Sequence, residues 1–209
     1  MILKKLFPKT TPLYLLTDTQ LAGLTNAQMT SQALSAGIRV IQLREKYRSK
    51  KEIFKEALAL KALTTKHKAA LIINDHIDIA LGVNAEGVHL GQEDMPLPEA
   101  RRIMGGKKII GVSTHSLRQA QKAENEGADY IGFGPIFHTS TKDAGKPRGL
   151  KALQKIREHI NIPIVAIGGI TSGNIKEVLM SGADAAAIAS GILSGNIRTN
   201  TMRYLSSLE

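Results

Sequence analysis

Short apolar runs alternate with longer stretches of helical periodicity along almost the whole chain. The runs LYLLT (13–17), RVIQLR (39–44), AALIIN (69–74) and GVHL (87–90) come first. IIGVS (109–113), ADYIGFG (128–134), PIVAIG (163–168) and ADAAAIAS (183–190) follow. Each has strand length and is rich in β-branched or small apolar residues. Between them, apolar positions recur at helical spacing over 25–36, 50–67, 77–81, 98–104, 117–126, 150–159, 174–181 and 200–208. The tripeptides AGI (36–38), EGA (126–128) and SGA (181–183) each set a glycine between a helix and the next strand, where it ends the helix.

Strands separated by helices must pair in parallel, because a parallel pair needs a crossover long enough to hold a helix. Eight such units in 209 residues predict an α/β chain folded as one (β/α)8 TIM barrel over residues 1–209, at the small end of that fold's range. The alternative is an open doubly wound sheet. No GxGxxG follows the first strand, which weakens the dinucleotide-binding form of that alternative.

A barrel carries its chemistry at the carboxyl ends of its strands. The second strand ends in Gln42, Arg44, Glu45 and Lys46, and alternation sets Gln42, Arg44 and Lys46 on one side. One amide and two cations aimed at one point suit a diphosphate; a strand-end ion-pair network with Glu45 is the other reading. Asn74 and Asp75 end the third strand and GQED (91–94) follows the fourth, so Asp75 and Asp94 close adjacent strands. Paired acids among cations are either ion pairs or ligands for Mg²⁺, which takes one or two protein carboxylates beside water and phosphate oxygens. Ser113, Thr114 and His115 end the fifth strand, and His115 is the one histidine of the six that reads as a candidate acid or base. AIGGI (166–170) and ASGI (189–192) follow the last two strands, where barrels bind phosphate through backbone N–H groups; tight βα turns, which need glycine too, are the other reading.

After the sixth strand stands GPIFHTSTKDAG (134–145), with Thr139, Ser140 and Thr141 beside Lys142. It reads either as a solvated loop or as an anion cradle of hydroxyls, N–H groups and one cation.

Composition narrows the classes. The formal charge of +10 admits nucleic acid, an acidic surface or an anionic small substrate. With no Trp, and four Tyr and four Phe scattered among dispersed basic residues, nucleic-acid binding is not expected. The absence of cysteine excludes disulfides and thiolate chemistry. No apolar run reaches the roughly 18 residues needed to span a bilayer, and MILKKLFPKTTP does not read as a secretory signal, so a cytoplasmic protein without membrane contact is expected. Oligomeric state stays open, a homo-oligomer included.

The ordered set QLREK, IIND, HLGQED, GVSTHS, GPIFHTSTK, AIGGI and ASGI resembles the thiamine phosphate synthase family over nearly the whole chain. The resemblance implies a transferase barrel with two phosphorylated small-molecule substrates. It would join 4-amino-5-hydroxymethyl-2-methylpyrimidine diphosphate to a thiazole phosphate and release pyrophosphate, by ionisation to a pyrimidine cation. The diphosphate site would then fall on Gln42, Arg44, Lys46, Asn74, Ser113 and Lys142, with Arg44, Lys46, Ser113 and Lys142 acting in catalysis. The thiazole phosphate site would be Thr139, Thr141, Gly169, Ala189 and Ser190, and Mg²⁺ would be held by Asp75 and Asp94. Many relatives carry Asp at the position of His76 and Pro at that of His138. The rival of the same fold is a thiazole tautomerase, whose catalytic histidine would match His115. A non-catalytic phosphate binder is disfavoured, because binding alone needs no Mg²⁺ carboxylates.

Overall fold

Every expected strand–helix unit forms. The computed structural model describes residues 6–8, 10–139 and 145–208. Its strands are β1 (Leu13–Leu16), β2 (Val40–Leu43), β3 (Ala70–Asn74), β4 (Gly87–Leu90), β5 (Ile109–Thr114), β6 (Tyr130–Phe133), β7 (Ile164–Ile167) and β8 (Ala185–Ile188). They pair in sequence order, all parallel, and β1 closes the barrel against β8 with Leu13 opposite Ala186.

The helices fall where the periodicity sets them, with two additions and one earlier start. Short helices α1 (Thr19–Ala22) and α9 (Ser190–Leu193) lie in loops at the carboxyl end. The last helix, α10 (Ile197–Ser206), begins three residues earlier than the pattern indicates, because Asn196 caps it by accepting the Thr199 N–H. Between these run α2 (Asn26–Ser35), α3 (Lys50–Lys66), α4 (Ile77–Gly82), α5 (Leu97–Met104), α6 (Leu117–Asn125), α7 (Gly149–His159) and α8 (Ile175–Met180). Thr25 with Gln28, and Ser49 with Glu52, form reciprocal capping boxes that start α2 and α3.

The glycines of AGI, EGA and SGA have φ of 110°, 90° and 108°, the left-handed turn that ends a helix. Lys68 and Asn84 do the same work at φ of 52° and 54° without being glycine, so those two stops carry no sequence signal of that kind.

Alternation along the strands divides the apolar residues between two cores. One face packs outward against the helices, with Leu15, Ile41, Leu71, Val88, Ile110 and Ile131 among the fully buried side chains. The other face fills the barrel, where Tyr14, Val40, Ile72, Ile109, Tyr130 and Val165 meet. Leu6 and Phe7 plug its amino end: the Phe7 ring stands 5.9 Å from that of Tyr14 and 5.6 Å from that of Tyr130.

At that same end, the residue before each of three even-numbered strands is an acid with a double role. Glu86 accepts the Leu71 N–H at 2.9 Å and pairs with Lys61. Asp129 accepts the Ile110 N–H at 2.7 Å and pairs with Arg101 at 2.6 Å. Asp184 accepts the Ile164 N–H at 2.8 Å and pairs with Arg157 at 3.0 Å. Each acid thus ties the start of the preceding strand to the helix that leads into it. Conserving polar satisfaction at this face leaves the opposite face free for chemistry.

Candidate active site

At the carboxyl end the barrel opens into a cavity enclosing about 1160 Å³ of empty space, counted out to solvent. Gln42 and Arg44 reach it from β2 and its end, Asn74 from the end of β3 and Ser113 from β5. Thr139, Ala189 and Ser190 reach it from the segments that follow β6 and β8. The barrel thus brings together seven of the residues expected at the mouth, four by strand alternation and three from the segments after β6 and β8, with His115 beside them.

Arg44 is held in place. Its backbone N–H donates to Thr17 Oγ1 at 3.1 Å, and its guanidinium lies 3.8 Å from Asp18, which also caps α1. Glu45 points the other way, as alternation requires, accepting from Asn26 Nδ2 at 2.7 Å and lying 3.6 Å from Arg48. The ion-pair reading of QLREK therefore describes Glu45 with Arg48, while Arg44 faces the cavity.

The remaining expected residues lie elsewhere. Lys46 stands three residues beyond the end of β2 and is exposed, outside the described lining. Asp75 is exposed directly after β3, in a left-handed conformation with φ of 63°, its N–H donating to the His89 carbonyl at 2.9 Å. Asp94 lines a second, smaller cavity walled by β4, β5 and the helices after them, and its Oδ2 accepts the Gly91 N–H at 2.6 Å. Gly169, with φ of 64°, packs so closely under the loop after β6 that a Cβ would come within 2.5 Å of the His138 carbonyl. Thr141 and Lys142, with Ser140, lie outside the described residues.

The donor set can be tested for Mg²⁺ on its own chemistry. Among the described residues no group of three or more His, Asp or Glu side chains converges. That excludes an all-protein cage from these residues but fits an ion held by one or two carboxylates and completed by substrate phosphate and water. Asp75 and Asp94 lie on the neighbouring loops after β3 and β4.

His115 lines the cavity with Nδ1 donating to the Gly134 carbonyl at 2.7 Å, so its proton sits on Nδ1 and its orientation is fixed by the β6 end. Beneath the mouth lies a polar layer that the sequence reading did not single out. Tyr14, His89 and Tyr130 are buried within the barrel and also line the cavity floor. Burial pushes the Tyr14 and Tyr130 hydroxyls well above the ordinary phenol range, so both are neutral. Parity could have found them: in GVHL the apolar Val88 and Leu90 face the helices, which turns His89 inward.

Comparison with known proteins agrees with this geometry. Residues 13–192 match the family model described as thiamine monophosphate synthase. The chain is 46% identical over 198 residues to the thiamine-phosphate synthase of Chloroflexus aurantiacus, covering 94% of this chain and 91% of the relative. It is 48% identical over 184 residues to that of Lawsonia intracellularis, covering 87% and 85%. The structure of thiamine phosphate pyrophosphorylase from Pyrococcus furiosus superposes with a TM-score of 0.88 at 37% identity, over 96% of both chains. A 3-hexulose-6-phosphate synthase superposes at 0.67 with 16% identity over 94% of this chain and 99% of that one, a likeness of fold alone.

Proposed function

The chain belongs to the thiamine monophosphate synthase family, and from that premise we propose that its barrel mouth joins a pyrimidine diphosphate to a thiazole phosphate and releases pyrophosphate. One observation carries the reading. Gln42, Arg44, Asn74 and Ser113 line one arc of the cavity, and Thr139, Ala189 and Ser190 line another. In this reading each group holds one of the two anions, and both share a cavity with the buried rings of Tyr14 and Tyr130 at its floor.

In the proposed reaction the bond between the pyrimidine methylene carbon and the diphosphate oxygen breaks, and its electron pair leaves with the diphosphate. The thiazole nitrogen then supplies a pair to the methylene carbon. No protein nucleophile is needed; the site must stabilise negative charge that grows as the bond breaks. Arg44 supplies a fixed cation, Ser113 and Asn74 supply polar hydrogen atoms, and Lys46 and Lys142 would add positive charge. Asp75 and Asp94 would hold Mg²⁺, whose chemistry when bound is to offset further charge on the leaving group. Thr139, Thr141, Gly169, Ala189 and Ser190 would hold the thiazole phosphate. A cytoplasmic site of action belongs to this reading; among the described residues no helix is long and apolar enough to cross a membrane.

The test is an assay with both substrates, following thiamine phosphate, on two variants. Arg44→Ala removes charge stabilisation from the leaving group and should cost on the order of 10²–10³ in rate. His115→Ala should keep most activity. A thiazole tautomerase would make no thiamine phosphate in this assay, and its isomerisation of the thiazole phosphate would fall on the order of 10²–10⁴ without His115.

A further inference from the structure

Five side chains form an unbroken hydrogen-bonded line across the barrel under the cavity floor. Gln42 Nε2 donates to Tyr14 Oη at 2.7 Å. Tyr14 Oη lies 3.0 Å from Tyr130 Oη, and Tyr130 Oη lies 3.0 Å from His89 Nδ1. His89 Nε2 lies 2.9 Å from Ser113 Oγ. Both ends of this line, Gln42 and Ser113, face the cavity from opposite sides of three buried groups. Absent side chains make room for it. A Cβ on Gly111 would meet the Tyr130 ring at 2.0 Å, and one on Gly132 would meet His89 Cε1 at 3.2 Å.

Each hydroxyl in the line has one hydrogen and two lone pairs, and a buried hydrogen without an acceptor is costly, so with every buried hydrogen satisfied the direction of one bond sets the next. Once Gln42 donates into Tyr14, the Tyr14 hydrogen goes to Tyr130. The Tyr130 hydrogen then goes to His89 Nδ1, which must be bare. The ring proton therefore sits on Nε2 and is given to Ser113 Oγ, so Ser113's own hydrogen has to point elsewhere.

We propose that this line is a one-way relay in which His89, as the Nε2–H tautomer, presets Ser113 as a hydrogen-bond donor to a diphosphate oxygen in the cavity. His89 is a positioning residue that acts through Ser113. The opposite polarity would have Ser113 spend its hydrogen on His89 Nε2 and offer the anion only lone pairs. Burial of the intermediate groups helps hold one polarity, because reversing it requires every link and the Gln42 amide to turn together. The inference rests on the diphosphate reading of the cavity, but the polarity of the line can be read without turnover.

Nitrogen-15 spectra of the full chain, with the His89 signals assigned by their loss in His89→Gln, report which ring nitrogen carries the proton. The expected result is a neutral ring protonated at Nε2. A ring protonated at Nδ1, or at both nitrogens, overturns the relay. Binding of inorganic pyrophosphate by calorimetry gives the second arm. Ser113→Ala should weaken it on the order of tenfold, the loss of one hydrogen bond to an anion. Tyr130→Phe keeps the ring volume but removes the donor to Nδ1. It should move His89 toward the Nδ1–H form and weaken pyrophosphate by a similar factor. Adding Ser113→Ala to Tyr130→Phe should then cost less than about twofold more. Additive losses with an unmoved tautomer overturn the proposal. If wild-type protein binds pyrophosphate and shows the expected tautomer yet makes no thiamine phosphate, the functional reading fails and the relay stands.

Discussion

The Tyr130 ring occupies the space that a side chain on Gly111 would need. The two residues face each other across β5 and β6, and a Cβ on Gly111 would fall 2.0 Å from Tyr130 Cζ. Gly111→Ala should therefore lower stability by about 1–3 kcal/mol or more, as overpacked cores do. Thermal unfolding of the variant checks this, and a second substitution, Tyr130→Phe, should recover little, since the ring carbons clash as well as the hydroxyl. An unchanged melting temperature would mean that the Tyr130 ring can move aside.

Alkaline pH should destabilise the fold through its buried phenols. Tyr204, whose hydroxyl donates to the Ile170 carbonyl at 2.8 Å, is pushed up to about 12 by burial. In the unfolded chain it loses its proton near the ordinary value of 10.0. Between those values the unfolded chain binds fewer protons than the folded one, so stability falls as pH rises and is fully present below the lower value. The slope is about 1.4 kcal/mol per pH unit for each such tyrosine, and Tyr14 and Tyr130 act in the same direction. Urea unfolding of wild type and Tyr204→Phe at a series of pH values should show a shallower alkaline slope in the variant.

The acids at the amino end of the barrel should matter for stability and not for catalysis. Asp129→Ala leaves the Ile110 N–H without its carboxylate acceptor and Arg101 without its partner. The expected loss is about 1–3 kcal/mol. Because Asp129 sits at the opposite end of β6 from the cavity, kcat and KM at a temperature where the variant is folded should match wild type. A selective fall in kcat would contradict the separation of the two ends.

Turnover should need a hard divalent cation. Exhaustive chelation should abolish it and Mg²⁺ should restore it, while Asp75→Asn and Asp94→Asn should each raise the Mg²⁺ concentration giving half-maximal rate. Circular dichroism should show both variants folded, since both residues lie in loops beyond strand ends. Full turnover by the chelated protein would remove the metal from the mechanism.

The strands, their order and the residues at their ends were legible because alternation and helical spacing are local, and a parallel eight-fold repeat closes in few ways. Arg44 facing the cavity and Glu45 turned outward followed from the same parity. Lys46 did not: β2 ends at Leu43, and its alternation carries on through Arg44 and Glu45 but is lost at the bend that begins at Lys46. Asp94 likewise sits in a turn whose own hydrogen bond to Gly91 aims its carboxylate.

The relay from Gln42 to Ser113 depends on pairs separated by as many as 116 residues, Tyr14 with Tyr130. Local pattern tells which side of a strand a residue faces. Which side chains then touch inside the barrel is set by the register of eight strands around a closed ring, together with the glycines that leave room. A hydrogen bond depends on tenths of an ångström, and only the assembled barrel supplies distances on that scale.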